Sequence, residues 1–174
     1  MNRFYEGWIA IARERAKIAA LPWNPSFCAH TGRIERAHRW NLTRLVGLNP
    51  PPTKWLSWFS HIDTDAELLE RMLDGQGLKS EHALVMSPDW CEFTQAAIIH
   101  ELLIKRNKVS QAEAVYRAVR VLSLCAAQTS PAEITAADVQ LAYNVALRVG
   151  GSGKLALNVR MIVRGLFDRE HLAD

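Results

Sequence analysis

Groups of side chains that could carry out chemistry are few in this chain. Cys28, His30 and His38 form the one close cysteine and histidine group in the sequence. One thiol and two imidazoles in a proline-rich stretch do not reach the spacing of a zinc site. The other histidines are scattered, so no acid, base and nucleophile can be named together. The sequence therefore predicts no catalytic residue, no metal and no cofactor.

The distribution of charge says more than any single motif. The chain has 21 Lys and Arg residues against 18 Asp and Glu, a formal net charge of +3. Residues 1–60 hold nine basic and three acidic residues, and residues 93–174 hold ten basic and seven acidic residues. The segment between them, residues 61–92, is acidic, with two basic and eight acidic residues. Basic ends of this kind suit a polyanionic partner, and the alternative is a set of solvated helix faces.

Cations outside the apolar stripes of the expected helices are candidate DNA contacts, because guanidinium and ammonium groups neutralise phosphates. In the N-terminal third these candidates are Arg33, Arg36, Arg39 and Arg44. In the second half they are Lys105, Arg106, Lys108, Arg117, Arg120, Lys154, Arg160 and Arg164. The second set is expected on one side of three helices. A pairing of Arg164 with Asp168 is the alternative.

The elements that carry these cations are predicted to be almost wholly helical. The N-terminal pattern predicts a helix over residues 2–20, whose apolar stripe includes Phe4, Trp8, Ile11 and Ile18. An arginine-rich helix is expected over residues 34–46. Three consecutive prolines at positions 50–52 then predict a rigid linker, since proline removes backbone donors.

The second half carries repeated helix start signals. Ser87 before Pro88 predicts a helix to about Arg106, with Trp90, Phe93, Ala97 and Leu102 facing inward. Further starts are the capping boxes Ser110 to Glu113 and Thr135 to Asp138, and then Ser152. Inward positions on the later helices are Ala112, Val115, Val119, Leu122, Ala126, Leu155, Val159, Ile162 and Leu166. The chain is therefore predicted to be all-α, with a helical region over residues 1–80 and a four-helix bundle over residues 87–174.

The second half also resembles a known family in the order of its motifs. Trp90-x-x-Phe93 lies on the first helix, Ser110 to Leu124 on the second, Glu133-Ile-Thr135 before the third, and Ser152 before a fourth helix that spans Leu155 to Phe167. This order resembles the core-binding domain of tyrosine recombinases, the phage-type integrases. The resemblance implies a four-helix, SAM-like domain that clamps double-stranded DNA at a recombination site. It also implies that the lysines of the second set position the DNA and that Arg160 or Arg164 reads bases. Leu155 departs from the family pattern, in which a hydroxyl residue is usual at that position.

Catalysis in that family belongs to a separate domain, so the resemblance implies a DNA-binding region without catalytic residues. The chain would be part of a longer integrase or a standalone DNA-binding relative. A homo-oligomer on DNA stays open. Two other classes also stay open: a helical adaptor that uses Trp55, Trp58 and Phe59 as a partner surface, and an independent enzyme. The sequence predicts no membrane span, and three widely spaced cysteines favour a cytoplasmic location.

Overall fold

The computed structural model describes residues 3–23, 39–46, 55–57, 86–126, 129–149 and 153–171. These residues are mostly helical, which confirms the all-α class in its coarse form. The helices are α1 (Arg3–Ile18), α2 (Pro88–Ile99), α3 (Val109–Cys125), α4 (Ala136–Val149) and α5 (Lys154–His171). Two short strands are β1 (Arg39–Asn41) and β2 (Trp55–Ser57). Short 3₁₀ helices span Thr43–Leu45 and Pro131–Glu133, and a π-helical turn spans His100–Ile104.

The chain divides into two compact units, and each combines residues from both sides of the predicted boundary near residues 80–87. The first unit is Met1–Phe59 with Ser87–Tyr116, and the second is Ser60–Met86 with Arg117–Asp174. All four helices predicted for the second half are present. Their assembly into one four-helix bundle is not confirmed, and the division into residues 1–80 and 87–174 stays a prediction.

In the first unit, α1 packs against α2. The buried side of α1 consists of Ile9, Ala12 and Ala16, whose small side chains allow two helices to approach closely. The predicted apolar stripe through Ile11 and Ile18 is wrong, because these side chains are 55% and 77% exposed. The helix presents its alanine face to the core and leaves two isoleucines outside.

An aromatic cluster centred on Phe93 joins these two helices. The Phe93 ring lies 5.3 Å from the Trp8 ring, 5.4 Å from the Trp90 ring and 6.3 Å from the Tyr5 ring, measured between centroids. Trp90 and Phe93 are buried, as predicted, together with Ala97 and Leu102. Trp8 Nε1 also donates a hydrogen bond to His100 Nδ1 at 3.2 Å.

The arginine-rich helix predicted over residues 34–46 is wrong for the part of it that the structure describes. Arg39–Asn41 is strand β1, and it pairs antiparallel with β2 so that Trp40 lies opposite Leu56. Trp40 and Leu42 are both fully buried, and alternate burial is the period of a strand. Trp40 Nε1 donates to the carbonyl oxygen of Pro22 at 2.8 Å, which satisfies the buried indole.

Helix α2 begins and ends with specific hydrogen bonds. Ser87 Oγ accepts from the backbone N–H of Trp90 at 3.3 Å, which confirms the predicted N-cap before Pro88. After Ile99 the helix widens into the π-helical turn, whose Glu101 is buried. The Glu101 carboxylate accepts from Lys105 Nζ and from Asn107 Nδ2, both at 2.7 Å. These bonds hold the turn that leads into α3.

Helix α3 begins two residues earlier than the predicted capping box allows. The backbone N–H groups of Gln111 and Ala112 both donate to the carbonyl oxygen of Lys108, so Lys108 occupies the start and Ser110 is already helical. Burial of Val109 explains the early start, because an apolar residue in the first turn anchors it. The predicted inward positions 112, 115, 119, 122 and 126 are all buried.

The second unit contains the remainder of α3 together with α4 and α5. Helix α4 has the predicted capping box: Asp138 N–H donates to Thr135 Oγ1 at 3.3 Å, and Thr135 N–H donates to Asp138 Oδ2 at 2.9 Å. Helices α4 and α5 pack against each other. Gly153 precedes α5 with φ +69°, a left-handed conformation that glycine adopts without steric cost.

Candidate nucleic-acid interface

Helix α5 has a solvent face on which cations and apolar side chains alternate. We call this the α5 outer face, and it consists of Lys154, Leu157, Arg160, Met161 and Arg164, all exposed. Each member has another member three or four residues away, which places the five on one side of an α-helix. The other side is buried through Ala156, Val159 and Ile162, so the outer face points away from the core of its unit. Leu155 is half-buried.

The charged members of the α5 outer face are three cations, Lys154, Arg160 and Arg164. Asp168 follows Arg164 by four residues, but its side chain is not among those that the structure describes, so a pairing of the two stays the alternative. Arg160 lies over the ring of Tyr143 on α4, with 5.4 Å between the guanidinium carbon and the ring centroid. A cation at this distance from an aromatic face is attracted to it, and the contact restricts where the guanidinium can point. The face therefore presents a positive surface in which Arg160 is oriented.

A second group of candidate cations lies in the turn before α3, within the first unit. Lys105, Arg106 and Lys108 are all exposed there. Lys105 donates to the buried Glu101 carboxylate, so part of its charge is neutralised locally. Arg106 has φ +57°, a conformation that is uncommon for a residue with a side chain. The turn is thus held in a defined shape while its cations face water.

The remaining candidates in the second unit divide into one exposed and one buried residue. Arg117 is exposed, as predicted. The prediction that Arg120 lies outside the apolar stripe is wrong, because its side chain is 6% exposed. Every residue from Ala118 to Leu124 is buried, so α3 is enclosed on all sides over this stretch and has no solvent face there. Arg120 is a core residue of the helix.

The N-terminal candidates are only partly described. Arg44 is exposed in a 3₁₀ helix, and Arg39 is placed on β1 without a described side chain. Arg33 and Arg36 lie outside the described residues. The prediction that Arg39 and Arg44 lie on one α-helix is therefore wrong, because Arg39 lies on a strand and Arg44 in a 3₁₀ helix. The expectation that the exposed cations of the second half share one side stays a prediction, and Arg120 does not belong to it because it is buried.

Within the described residues, the candidates for metal binding or nucleophilic chemistry are few. No group of three or more His, Cys, Asp and Glu side chains there could hold a metal ion. Cys28, His30 and His38 lie outside that part of the chain. Burial raises the pKa of both the Cys91 and the Cys125 thiol to about 12, with the Asp138 charge as a smaller cause at Cys125. A thiol with so high a pKa is a poor nucleophile at neutral pH.

A shallow cleft of about 260 Å³ lies beside α1 in the first unit, and sequence analysis did not find it. It is lined by Tyr5, Glu6, Ile9, Ala10, Arg13 and Glu92. Glu92 accepts a hydrogen bond from Arg13 and another, at 3.1 Å, from Trp23 Nε1, so its charge is already compensated. Burial, together with Glu92 and Asp89, raises the pKa of Tyr5, which keeps the phenol protonated.

Two features of the α5 outer face were also missed by the sequence analysis. Leu157 and Met161 are 56% and 64% exposed although both are large and apolar. Their positions outside the stripe of Val159 and Ile162 carried that signal, since any residue there must face solvent. The contact between Arg160 and Tyr143 joins two helices and has no signal in the local sequence.

Comparisons of the chain with protein-family models, with curated proteins and with solved structures gave no match. Among the described residues, no helix is both long enough and apolar enough to cross a membrane.

Proposed function

We propose that this chain binds double-stranded DNA and that the α5 outer face is a principal contact. The observation that carries the proposal is the grouping of Lys154, Arg160 and Arg164 on one exposed face of α5. Such a face attracts the phosphate backbone and releases condensed counterions when it binds. Lys154 would contact phosphate as a point charge, whereas the planar guanidinium groups suit bidentate contacts with phosphate or guanine.

The exposed turn at Lys105, Arg106 and Lys108 supports the same proposal as a further phosphate contact. The bonds that Glu101 accepts from Lys105 and Asn107 support the backbone of this turn, so the backbone needs little further ordering on binding. Arg44 and Arg117 are exposed and remain candidates for positioning contacts. Arg120 is withdrawn from the set because it is buried.

The narrower proposal is that the chain is the DNA-binding region of a site-specific tyrosine recombinase. Helices at all four predicted places, two of them with the expected caps at Ser87 and Thr135, support it. A recombinase region must recognise a discrete site, so selection from a random pool of duplexes should recover one related set of sequences. The proposal places the protein in the cytoplasm, where the reduced thiols of Cys91 and Cys125 would persist.

Salt dependence of binding tests the DNA proposal directly. Affinity for a duplex is measured by fluorescence anisotropy from about 50 to about 200 mM salt, and a plot of log affinity against log salt should have a slope of about −0.9 for each neutralised phosphate. Changing Arg160 and Arg164 to Ala should lower the steepness of that slope by about 1.8 and weaken binding.

The matched control changes Arg15 and Lys17 to Ala, which removes the same charge from exposed positions on α1. This control should keep the wild-type slope to within experimental error. If both variants have an equally shallower slope of log affinity against log salt, only the net charge of the protein matters and α5 is not the contact. A wild-type protein without salt-dependent binding would reject the DNA proposal and favour an adaptor.

A further inference from the structure

Helix α5 carries a pair of large apolar side chains that are exposed to solvent, Leu157 and Met161. Leu157 and Met161 each leave more than half of their surface in water, one turn apart on a helix whose opposite side is well buried. Isolated exposed apolar residues are common on proteins. Leu157 and Met161 differ from such isolated residues, because they lie side by side on a helix face that also carries Lys154, Arg160 and Arg164.

A partner that satisfies both parts of this face must offer negative charge beside small apolar groups. Duplex DNA offers that combination in its major groove, where phosphates line the edges and the thymine C5-methyl group projects from the floor. The minor groove has no such methyl group. An α-helix of about 10–12 Å diameter fits a groove about 12 Å wide.

We infer that α5 enters the major groove and that Leu157 and Met161 contact thymine methyl groups, an inference that rests on the proposed function. The two residues are about 6 Å apart along the helix axis, a separation close to two base-pair steps. Arg160 and Arg164 then lie beside them, at the groove edge or against neighbouring bases. The face thus reads thymine by apolar contact rather than by hydrogen bonds.

Replacing thymidine by deoxyuridine tests this inference, because the exchange removes only the C5-methyl group and leaves phosphates and base pairing in place. Duplexes that the wild-type protein selects from a random pool are resynthesised with deoxyuridine at every thymidine. Wild-type affinity should fall about fourfold for each methyl group contacted. The salt slope should not change, since no phosphate contact is lost.

Two double variants complete the experiment. Changing Leu157 and Met161 to Ser should bring the affinities for the two duplexes together while keeping the wild-type slope. The matched control changes Ile11 and Ile18 to Ser, exposed apolar residues on α1, and should keep the wild-type discrimination. Circular dichroism shows that each variant is folded, and single Leu157→Ser and Met161→Ser variants replace any double variant that is not.

The outcomes separate the two proposals. Equal wild-type affinity for thymidine and deoxyuridine duplexes, with the salt slope still dependent on Arg160 and Arg164, overturns the methyl contact and leaves DNA binding in place. Discrimination that survives the Leu157 and Met161 changes overturns the assignment to these residues. A wild-type protein that selects no duplex overturns both proposals.

Discussion

Arg160 on α5 lies over the aromatic ring of Tyr143 on α4, at 5.4 Å from the guanidinium carbon to the ring centroid. The contact connects the packing of two helices with the direction of an exposed cation. Tyr143 is half-buried, whereas Arg160 is exposed. This arrangement orients a guanidinium before any partner binds, which reduces the entropy lost on binding.

The first prediction concerns this contact. Changing Tyr143 to Leu should weaken DNA binding by about twofold to fivefold, because a cation–π contact at an exposed site contributes about 0.5–1 kcal/mol. The salt slope should stay as in wild type, since the charge of Arg160 is retained. Tyr143→Phe is the matched control and should bind normally. An unchanged affinity for Tyr143→Leu would show that orientation of Arg160 does not contribute.

The second prediction compares two sequence motifs that look alike. Thr135→Ala should lower the free energy of unfolding by about 1 kcal/mol, because it removes the side chain that caps α4. Ser110→Ala should change it by less than about 0.5 kcal/mol, because Ser110 is an exposed helical residue after the true start of α3. Urea unfolding of both variants measures the difference. Equal losses would contradict the assigned start of α3.

Local signals explain which parts of the fold could be predicted. A cap such as Ser87 or Thr135 acts within three residues, so the starts of α2 and α4 follow from short stretches of sequence. Strand β1 could not be found in this way. Its Trp40 is buried by pairing with β2 and by a bond to Pro22, and both partners are distant in sequence.

Which side of a helix is buried was harder to predict than where the helix lies in the sequence. On α1 the alanine side faces the core, and the isoleucines at positions 11 and 18 face water, because close packing of two helices favours small side chains. On α3 the stretch around Arg120 is buried all round, so the position of a charged residue did not indicate a solvent face. The cations of α5 were predicted correctly as exposed, since one strong apolar stripe defines the opposite side.

The third prediction concerns the buried carboxylate of the π-helical turn. Changing Glu101 to Gln should lower the free energy of unfolding by about 2 kcal/mol, because the two donors Lys105 and Asn107 lose a charged acceptor. Lys105→Ala should cost less than about 1 kcal/mol, since that ammonium group is half exposed. Thermal unfolding checks both values. A larger loss for Lys105→Ala would show that the lysine, rather than the carboxylate, organises the turn.

The fourth prediction concerns the thiols of Cys91 and Cys125. Their raised pKa, caused first by burial, means that the folded state favours the neutral thiol. The contribution of each neutral thiol to the stability of the folded state is fully present below the pKa of an unfolded thiol, about 8.5. This stability is lost as the pH rises above that value, because the unfolded thiol then ionises more readily than the buried one. Iodoacetamide should therefore label both residues at least about 100-fold more slowly in native than in unfolded protein at pH 8.

A Cys28→Ser background makes the labelling specific, because Cys28 lies outside the described residues. Mass spectrometry of peptides that contain Cys91 or Cys125 then gives the two rates separately. Fast labelling of Cys125 alone would show that its partly exposed position outweighs the cause assigned here. Stability measured between pH 7 and pH 10 should fall at the alkaline end in the same background.

The last prediction separates a DNA contact from a core residue on one helix. Arg117→Glu and Arg120→Glu make the same change of charge, three positions apart on α3. Arg120 is buried, so a carboxylate there should lower the free energy of unfolding by more than about 3 kcal/mol. Arg117 is exposed, so its reversal should change stability by less than about 0.5 kcal/mol and act on DNA affinity alone. Urea unfolding and DNA binding are measured on both proteins. Similar stability of the two variants would contradict the burial of Arg120 and return that residue to the set of DNA contacts.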